Sequence, residues 1–455
     1  MSSFRPAILL LACMAPLVAQ KSPVVGSWEG SLEAGGTQLR LRLHISQDAA
    51  GTLLSKFDSP DQGAIGVPVT STSFQDGVLK WEVATLRASF EGKLNTAGTE
   101  IEGRFEQGRQ SRLVLKRMEE VEERKRRQEP RPPYPYQVED VKFPSKAAGV
   151  TLAGTMTIPR GAGPFPAVAL ITGSGPQDRD EALRGHKPFA VLADHLTRQG
   201  IAVLRYDDRG IGQSTGTFAT ATSTDFSRDA EGALDYLIGR KDVDPKRVGL
   251  AGHSEGGIIA PMVAARRPEV AFVVMLAGTG VTGAEVIVEQ GARQMAAAGE
   301  SDEKIRKDTE LQMKIVAVVA SEKDNAAARI KLLEILPAGE LAEREARRMT
   351  TPWMREFLFY DPAPALEKVK CPVLAVNGEK DLQVLPDQNL PRIEAALKKG
   401  GNRDFSIVRL PGLNHLFQTA TTGAAAEYAQ IEETMAPVLL DTVSRWIRQH
   451  TGLEH

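Results

Sequence analysis

Hydrophobic and polar residues alternate singly through the first quarter of the chain and fall into longer blocks after it. In "TQLRLRLHISQ", Leu39, Leu41, Leu43 and Ile45 share one face and Arg40, Arg42 and His44 the other. That period of two predicts a half-buried strand. The turn sequences "GGT", "AAGT", "QDG" and "NTAGT" punctuate further runs such as "VLKWEV" and "LRASFEGKL". Residues 23–117 therefore read as a small antiparallel β domain, barrel or sandwich, of about seven or eight strands. His44, alternating with arginines, reads as an exposed strand residue, and the segment shows no Ser/His/Asp set.

The pattern then changes twice. "RMEEVEERKRRQEPRPPYPYQ" mixes charges and ends in prolines. Residues 118–137 read as an exposed linker, helical and then extended. From 138 to 455, apolar runs ("PAVALITGSG", "IAVLRYDDRG", "RVGLAG", "VAFVVMLAG", "CPVLAVNG", "FSIVRLPG") alternate with amphipathic ones ("KPFAVLADHLTRQG", "MAPVLLDTVSRWIRQH"). Strands apolar on both faces, separated by helices, predict an α/β fold with a mostly parallel sheet covered on both sides. A helical stretch between Gly283 and Pro364 interrupts the alternation, where an inserted cap over the strand ends would sit. Its Met295, Met313, Met349 and Met354 read as helix-packing residues.

The first residues break from all of this. "MSSFR" carries one positive charge, "PAILLLACMAPLVA" is apolar but short for a membrane span, and Ala19 precedes polar sequence. Residues 1–19 read as a secretory signal peptide cut after Ala19, with a secreted or periplasmic product. An uncleaved anchor and a lipoprotein cut before Cys13 are the weaker readings. Cys13 and Cys371 are the only cysteines, so no disulfide framework or Cys/His zinc site can be built. Cys371 reads as a packed core thiol. The formal net charge of -2 gives no reason to expect nucleic acid as partner.

Chemistry enters at "RVGLAGHSEGGIIAPMVAARRP", where a buried strand turns into a helix through Gly252-His253-Ser254-Glu255-Gly256. This is G-x-S-x-G in the strand-to-helix setting that a nucleophile elbow requires. Small neighbours let the serine adopt strained angles, and the helix N-terminus favours developing negative charge. Ser254 is thus the candidate nucleophile. His415, after the last apolar strand, is the candidate base, with His186 as alternative. His253 should point away from the hydroxyl. Asp381, in "NGEKD" at another strand end, is the candidate acid, with Glu379 as alternative. The order Ser254, Asp381, His415 is that of α/β-hydrolases.

"ITGSGPQDRDE", "LRYDDRGIGQSTG", "GHSEGG", "NGEKD" and "GLNH" together resemble the α/β-hydrolase superfamily. Within it they resemble secreted bacterial esterases related to serine aminopeptidase and dienelactone hydrolase-like proteins. The resemblance covers about two thirds of the chain, from 140 to 450. It implies an α/β-hydrolase fold, a serine hydrolase acting on a small-molecule ester, and no metal or organic cofactor. It also implies that the protein is not integral to a membrane once the signal is removed. Its oxyanion hole would use the N–H of Glu255 and that of Ser174, the latter by correspondence in "TGSG", where the family often has His-Gly. Asp207, Asp208 and Arg209 would brace the neighbouring loop, and Gln177, Asp178, Arg179 and Asp180 lie where substrate could be touched. The expectation is a short-acyl esterase, with peptidase or acyltransferase chemistry on the same three residues as the alternative. A catalytically dead scaffold is the rival outside enzymes.

Overall fold

A computed structural model describes residues 22–453 apart from 35–36, 49–50, 60–63, 119–125 and 148. The proposed signal peptide, Cys13 and His455 lie outside the described residues. The chain divides into two units, Met1–Glu123 and Arg124–His455.

Among the described residues, the first unit is one antiparallel sheet of nine strands: β1 Gly26–Ala34, β2 Thr37–Gln47, β3 Leu53–Ser59, β4 Ala64–Pro68, β5 Ser71–Gln75, β6 Val78–Val83, β7 Ala88–Leu94, β8 Glu100–Glu106 and β9 Gln110–Arg117. Their order is β4-β3-β2-β1-β9-β8-β7-β6-β5. The Thr72 hydroxyl on β5 donates to Ser55 Oγ on β3 at 2.8 Å, so the sheet curls back on itself. Leu41, Leu43 and Ile45 pack with Trp28, Phe57, Trp81 and Phe90 in a filled core. That is the face the alternation predicts. The other face departs from expectation. His44 Nδ1 lies 2.8 Å from Ser27 Oγ and its Nε2 lies 3.0 Å from Asp58 Oδ2. A Ser/His/Asp line exists after all, hidden because its members sit on three strands. It sits on the sheet's outer surface, with the His44 side chain 40% exposed.

The second unit holds β10 Gln137–Pro144, β11 Thr151–Ile158, β12 Phe165–Ile171, β13 Ala202–Tyr206, β14 Val243–His253, β15 Val273–Leu276, β16 Val373–Gly378 and β17 Phe405–Leu410. The order is β10-β11-β13-β12-β14-β15-β16-β17. β10, β11 and β13 pair antiparallel, and the remainder is parallel. Along β12, Ala167, Ala169 and Ile171 enter one core and Val168 and Leu170 the other. α1 (Pro188–Arg198) and α11 (Pro437–Thr451) cover one face. α2 (Ser223–Ile238), α3 (Gly256–Ala264) and α10 (Pro386–Lys399) cover the other. This is the mostly parallel, doubly covered α/β sheet that the alternating blocks predict, in the α/β-hydrolase architecture that the resemblance implies. The chain leaves β12 for β13 on one side and later returns to β14 on the other. The β12/β14 junction is therefore the switch point where such sheets open a crevice at their carboxyl ends.

The insert between β15 and β16 comprises α4 (Gly283–Ala297), α5 (Asp302–Ser321), α6 (Asn325–Ile335), α7 (Glu340–Met349) and α8 (Pro352–Phe359), followed by the short α9 (Ala363–Leu366). Thr282 and Glu285 form a reciprocal capping box that starts α4 directly after the strand-end loop. Ile315, Val319, Leu332, Met349, Met354 and Leu358 give the insert its own core. Met313, by contrast, is exposed. No helix among the described residues is long and apolar enough to cross a membrane.

The linker is not exposed throughout: residues 127, 131–133 and 135 are exposed as expected, but Arg126 and Tyr136 are buried. The Arg126 guanidinium donates to the carbonyls of Ala429, Ile431 and Gly185. The Gln128 side chain bonds Thr434 and Met435, and the Tyr136 hydroxyl donates to Asp194 at 2.7 Å. Charge and proline composition describes solvation, not the carbonyls that an arginine can find about 300 residues away.

Candidate active site

The elbow is shaped by what cannot fit there. A Cβ on Gly252 would lie 1.9 Å from the Gly256 carbonyl oxygen, and one on Gly256 would lie 2.2 Å from that of Ile171. With that space left open, the chain reverses at Ser254, which sits at φ 53. Its N–H donates to the Leu276 carbonyl at 2.8 Å. A non-glycine residue held in the left-handed region costs energy that the surrounding structure must supply.

β12 ends beside the elbow. A Cβ on Gly173 would lie 3.2 Å from Ser254 Cβ. The Gly173 N–H is occupied, donating to Glu181 Oε1 at 2.6 Å. The N–H groups of Ser174 and Glu255 meet no protein acceptor among the described residues. Glu255 opens α3, so its N–H lies at the positive end of the helix. Asp208 holds the strand-end loop from below: the Thr172 hydroxyl and the Gln177 N–H donate to its two oxygens at 2.8 and 2.9 Å. Burial pushes the Asp208 carboxyl well above the usual range. Asp207 takes the Arg179 guanidinium and backbone N–H. Burial there works upward, but the Arg179 contacts outweigh it and hold the carboxyl low. Arg209 is tied to Asp229. Asp207 and Asp208 thus also brace the loop that carries Ser174, while Arg179 and Asp180 are engaged with Asp207 and Arg205.

Asp381 and His415 come from the loops after β16 and β17, and His415 Nδ1 lies 2.8 Å from Asp381 Oδ2. Both side chains are buried. The other oxygen, Asp381 Oδ1, accepts the N–H groups of Gln383 and Val384 at 2.8 and 2.9 Å. The ring and its partner are therefore fixed. Glu379 instead accepts the Gly412 N–H from the loop after β17. Ser254 Oγ makes no hydrogen bond to His415 here, a contact that commonly tightens only around substrate. The alternative base His186 is fully buried with its ring nitrogens against Thr434 Oγ1 and the Tyr428 carbonyl. Burial lowers its pKa.

The side chains of Glu181 and Glu255, given no role in the sequence reading, complete the site together with His253. His253 does turn from the hydroxyl, but toward the base: its Nε2 lies 3.0 Å from the His415 carbonyl oxygen, and the two rings are 4.7 Å apart. Its Nδ1 lies 2.9 Å from Glu181 Oε1. Their positions 72 residues apart in the chain gave no local signal. The only hint was an acidic residue after "GPQDRD". The Glu255 side chain is also buried. Its Oε1 accepts the Ser223 hydroxyl at 2.6 Å and the Trp353 indole N–H at 2.8 Å. Burial pushes its pKa up to about 7. Cys371 is half-buried against the sheet core, its thiol raised by burial to about 12.

Residues 186–419, more than half of the chain, match the family described as serine aminopeptidase, S33. Esterase EstD from Thermotoga maritima is 29% identical over 297 residues, 65% of each chain. Serine hydrolase BPHL from Homo sapiens is 26% identical over 43% of this chain and 59% of its own length. This chain thus spans less than two thirds of either relative. Among solved structures, the Pyrococcus furiosus esterase Pf2001 is similar over 69% of this chain and 93% of its own, at 16% identity and a TM-score of 0.42.

Proposed function

Because the chain belongs to the serine aminopeptidase S33 family within the α/β-hydrolases, we propose that it is a serine hydrolase that cleaves carboxylic esters through an acyl-enzyme. Ser254 Oγ attacks the ester carbonyl carbon while His415 Nε2 takes the hydroxyl proton. Asp381 holds the Nδ1–H and stabilises the imidazolium. The N–H groups of Glu255 and Ser174 receive the oxyanion. Collapse of the tetrahedral intermediate expels the alcohol, which takes the proton from His415. Water, activated by the same histidine, then releases the acid and restores the serine. The route calls for no metal or organic cofactor and no nucleic-acid partner. The observation that supports this reading is the buried Asp381–His415 bond, together with a serine held at positive φ at the strand-to-helix turn.

The substrate we assign is a small-molecule ester with a short acyl group. Two features support it: the self-contained core of the insert and the seating of α8 on the elbow through Trp353. The relative named as an esterase supports ester over amide chemistry. Residues 1–19 export the protein to the periplasm or the medium, and cleavage after Ala19 would make Gln20 the first residue found by N-terminal sequencing. The substrate assignment is tested by kcat/KM for acetyl, butyryl, octanoyl and palmitoyl p-nitrophenyl esters and for aminoacyl anilides. The acetyl or butyryl ester should lead. A maximum at palmitoyl overturns the short-acyl assignment, and anilides cleaved faster than butyryl ester favour the peptidase alternative.

A further inference from the structure

We propose that Glu181 and His253 form a charged pair that positions the catalytic base and opposes its protonation. The proposal rests on His415 being that base.

The argument starts from hydrogen-bond capacity. His253 Nε2 faces the His415 carbonyl oxygen at 3.0 Å. A carbonyl only accepts, so Nε2 carries a proton. Nδ1 faces Glu181 Oε1 at 2.9 Å, and the same oxygen already accepts the Gly173 N–H at 2.6 Å. Oε1 thus already accepts one N–H, and an ionised carboxylate oxygen can meet a ring nitrogen only as an acceptor, which puts a proton on Nδ1 as well. His253 is then an imidazolium beside a carboxylate, with both side chains at most 6% exposed. Burial alone would lower the His253 pKa, but the Glu181 charge and hydrogen bond reverse the direction and raise it. Glu181 sits at φ 52, and its Oε2 has no partner among the described residues. Backbone strain and a bare buried oxygen are both costs, and such costs persist where a geometry is needed.

This pair does two things. Glu181 Oε1 joins Gly173, next to the proposed oxyanion donor Ser174, to His253, and His253 holds the backbone of His415. The base is thereby gripped at its ring by Asp381 and at its carbonyl by His253, in register with the oxyanion loop. The pair also places a positive ring 4.7 Å from the base, with the balancing carboxylate on the far nitrogen. The charged and titratable groups around His253 come from three loops: Glu181 after β12, Asp381 after β16 and His415 after β17. Phe417 supplies an uncharged wall. The nearer positive charge opposes a second one on His415, so the base stays competent at lower pH than it would without the pair.

The test is the pH profile of kcat/KM on p-nitrophenyl butyrate for Glu181→Gln, His253→Gln and Glu181→Asp. Both glutamine variants keep hydrogen-bonding groups but remove the imidazolium. Each should move the acid limb to higher pH by about half a unit or more, while Glu181→Asp, which keeps the charge, should return it toward wild type. A purely structural role predicts lower rates with the limb unmoved. One folded glutamine variant with the wild-type limb overturns the proposal. Wild-type turnover by Ser254→Ala would overturn the underlying serine-hydrolase reading instead, so the two failures are distinguishable.

Discussion

The indole N–H of Trp353, on the last long helix of the insert, donates to Glu255 Oε1 at 2.8 Å, and Glu255 is the residue directly after the proposed nucleophile. The insert is thus fastened to the elbow by a side chain whose backbone N–H is proposed to bind the oxyanion. The Glu356 carboxylate ties the insert to α2 as well, accepting the Thr224 N–H at 2.6 Å.

This contact has a pH signature. Burial raises the Glu255 carboxyl from 4.5 to about 7, so the folded protein binds this proton more tightly than the unfolded chain. The protonated form's advantage is present below the unfolded value and is lost as pH rises through about 7. Glu255→Gln removes that dependence. Between about pH 4.5 and 8, the urea-unfolding free energy of the variant should rise relative to wild type by on the order of 3 kcal/mol. A difference that does not change with pH would contradict the burial argument.

Asp381→Asn keeps the shape of the side chain but cannot anchor the imidazolium. A fall in kcat of about 10⁴ is expected, as for the corresponding change in another triad enzyme. Glu379→Gln, whose partner is the Gly412 N–H, should stay within about tenfold of wild type. Steady-state kinetics of the two variants checks the assignment, and a reversed ranking would transfer the role to Glu379.

The buried Arg126 makes a prediction about stability. Arg126→Ala leaves the Ala429, Ile431 and Gly185 carbonyls without their donor and should cost roughly 2–4 kcal/mol. A chain beginning at Arg124 should therefore have a higher Tm than one beginning at Gln137. Equal Tm values would mean that the docked segment contributes nothing.

Gly252→Ala should be among the most damaging single-methyl changes. The new Cβ would meet the Gly256 carbonyl oxygen at 1.9 Å, and backbone cannot swing aside as a side chain can. A loss of more than about 3 kcal/mol, or failure to fold, is expected. Unfolding curves like those of wild type would show that the elbow has slack.

The fold was largely legible because its signals are periodic. Leu39 to Ile45 declare a half-buried strand, and β12 and β14 declare doubly covered ones, through burial rules that act within a few residues. Ser254 stood out for the same local reason: glycine spacing between a strand and a helix. Asp381 and His415 could be nominated from strand-end position, but their bond is a product of the β16–β17 register. Glu181–His253, Ser27–His44–Asp58 and Arg126 stayed hidden because each depends on partners brought together by tertiary structure. A histidine flanked by arginines, or an arginine in a charged run, looks solvated until its acceptors are known.

The central claim is that Ser254 is the nucleophile. The most direct measurement is mass-spectrometric mapping of the site modified by a fluorophosphonate, with turnover followed in parallel. A single adduct on Ser254 is predicted, formed as esterase activity disappears and absent in Ser254→Ala, whose turnover should fall by roughly 10⁶. An adduct on another residue, or Ser254→Ala retaining activity within tenfold of wild type, would contradict the account.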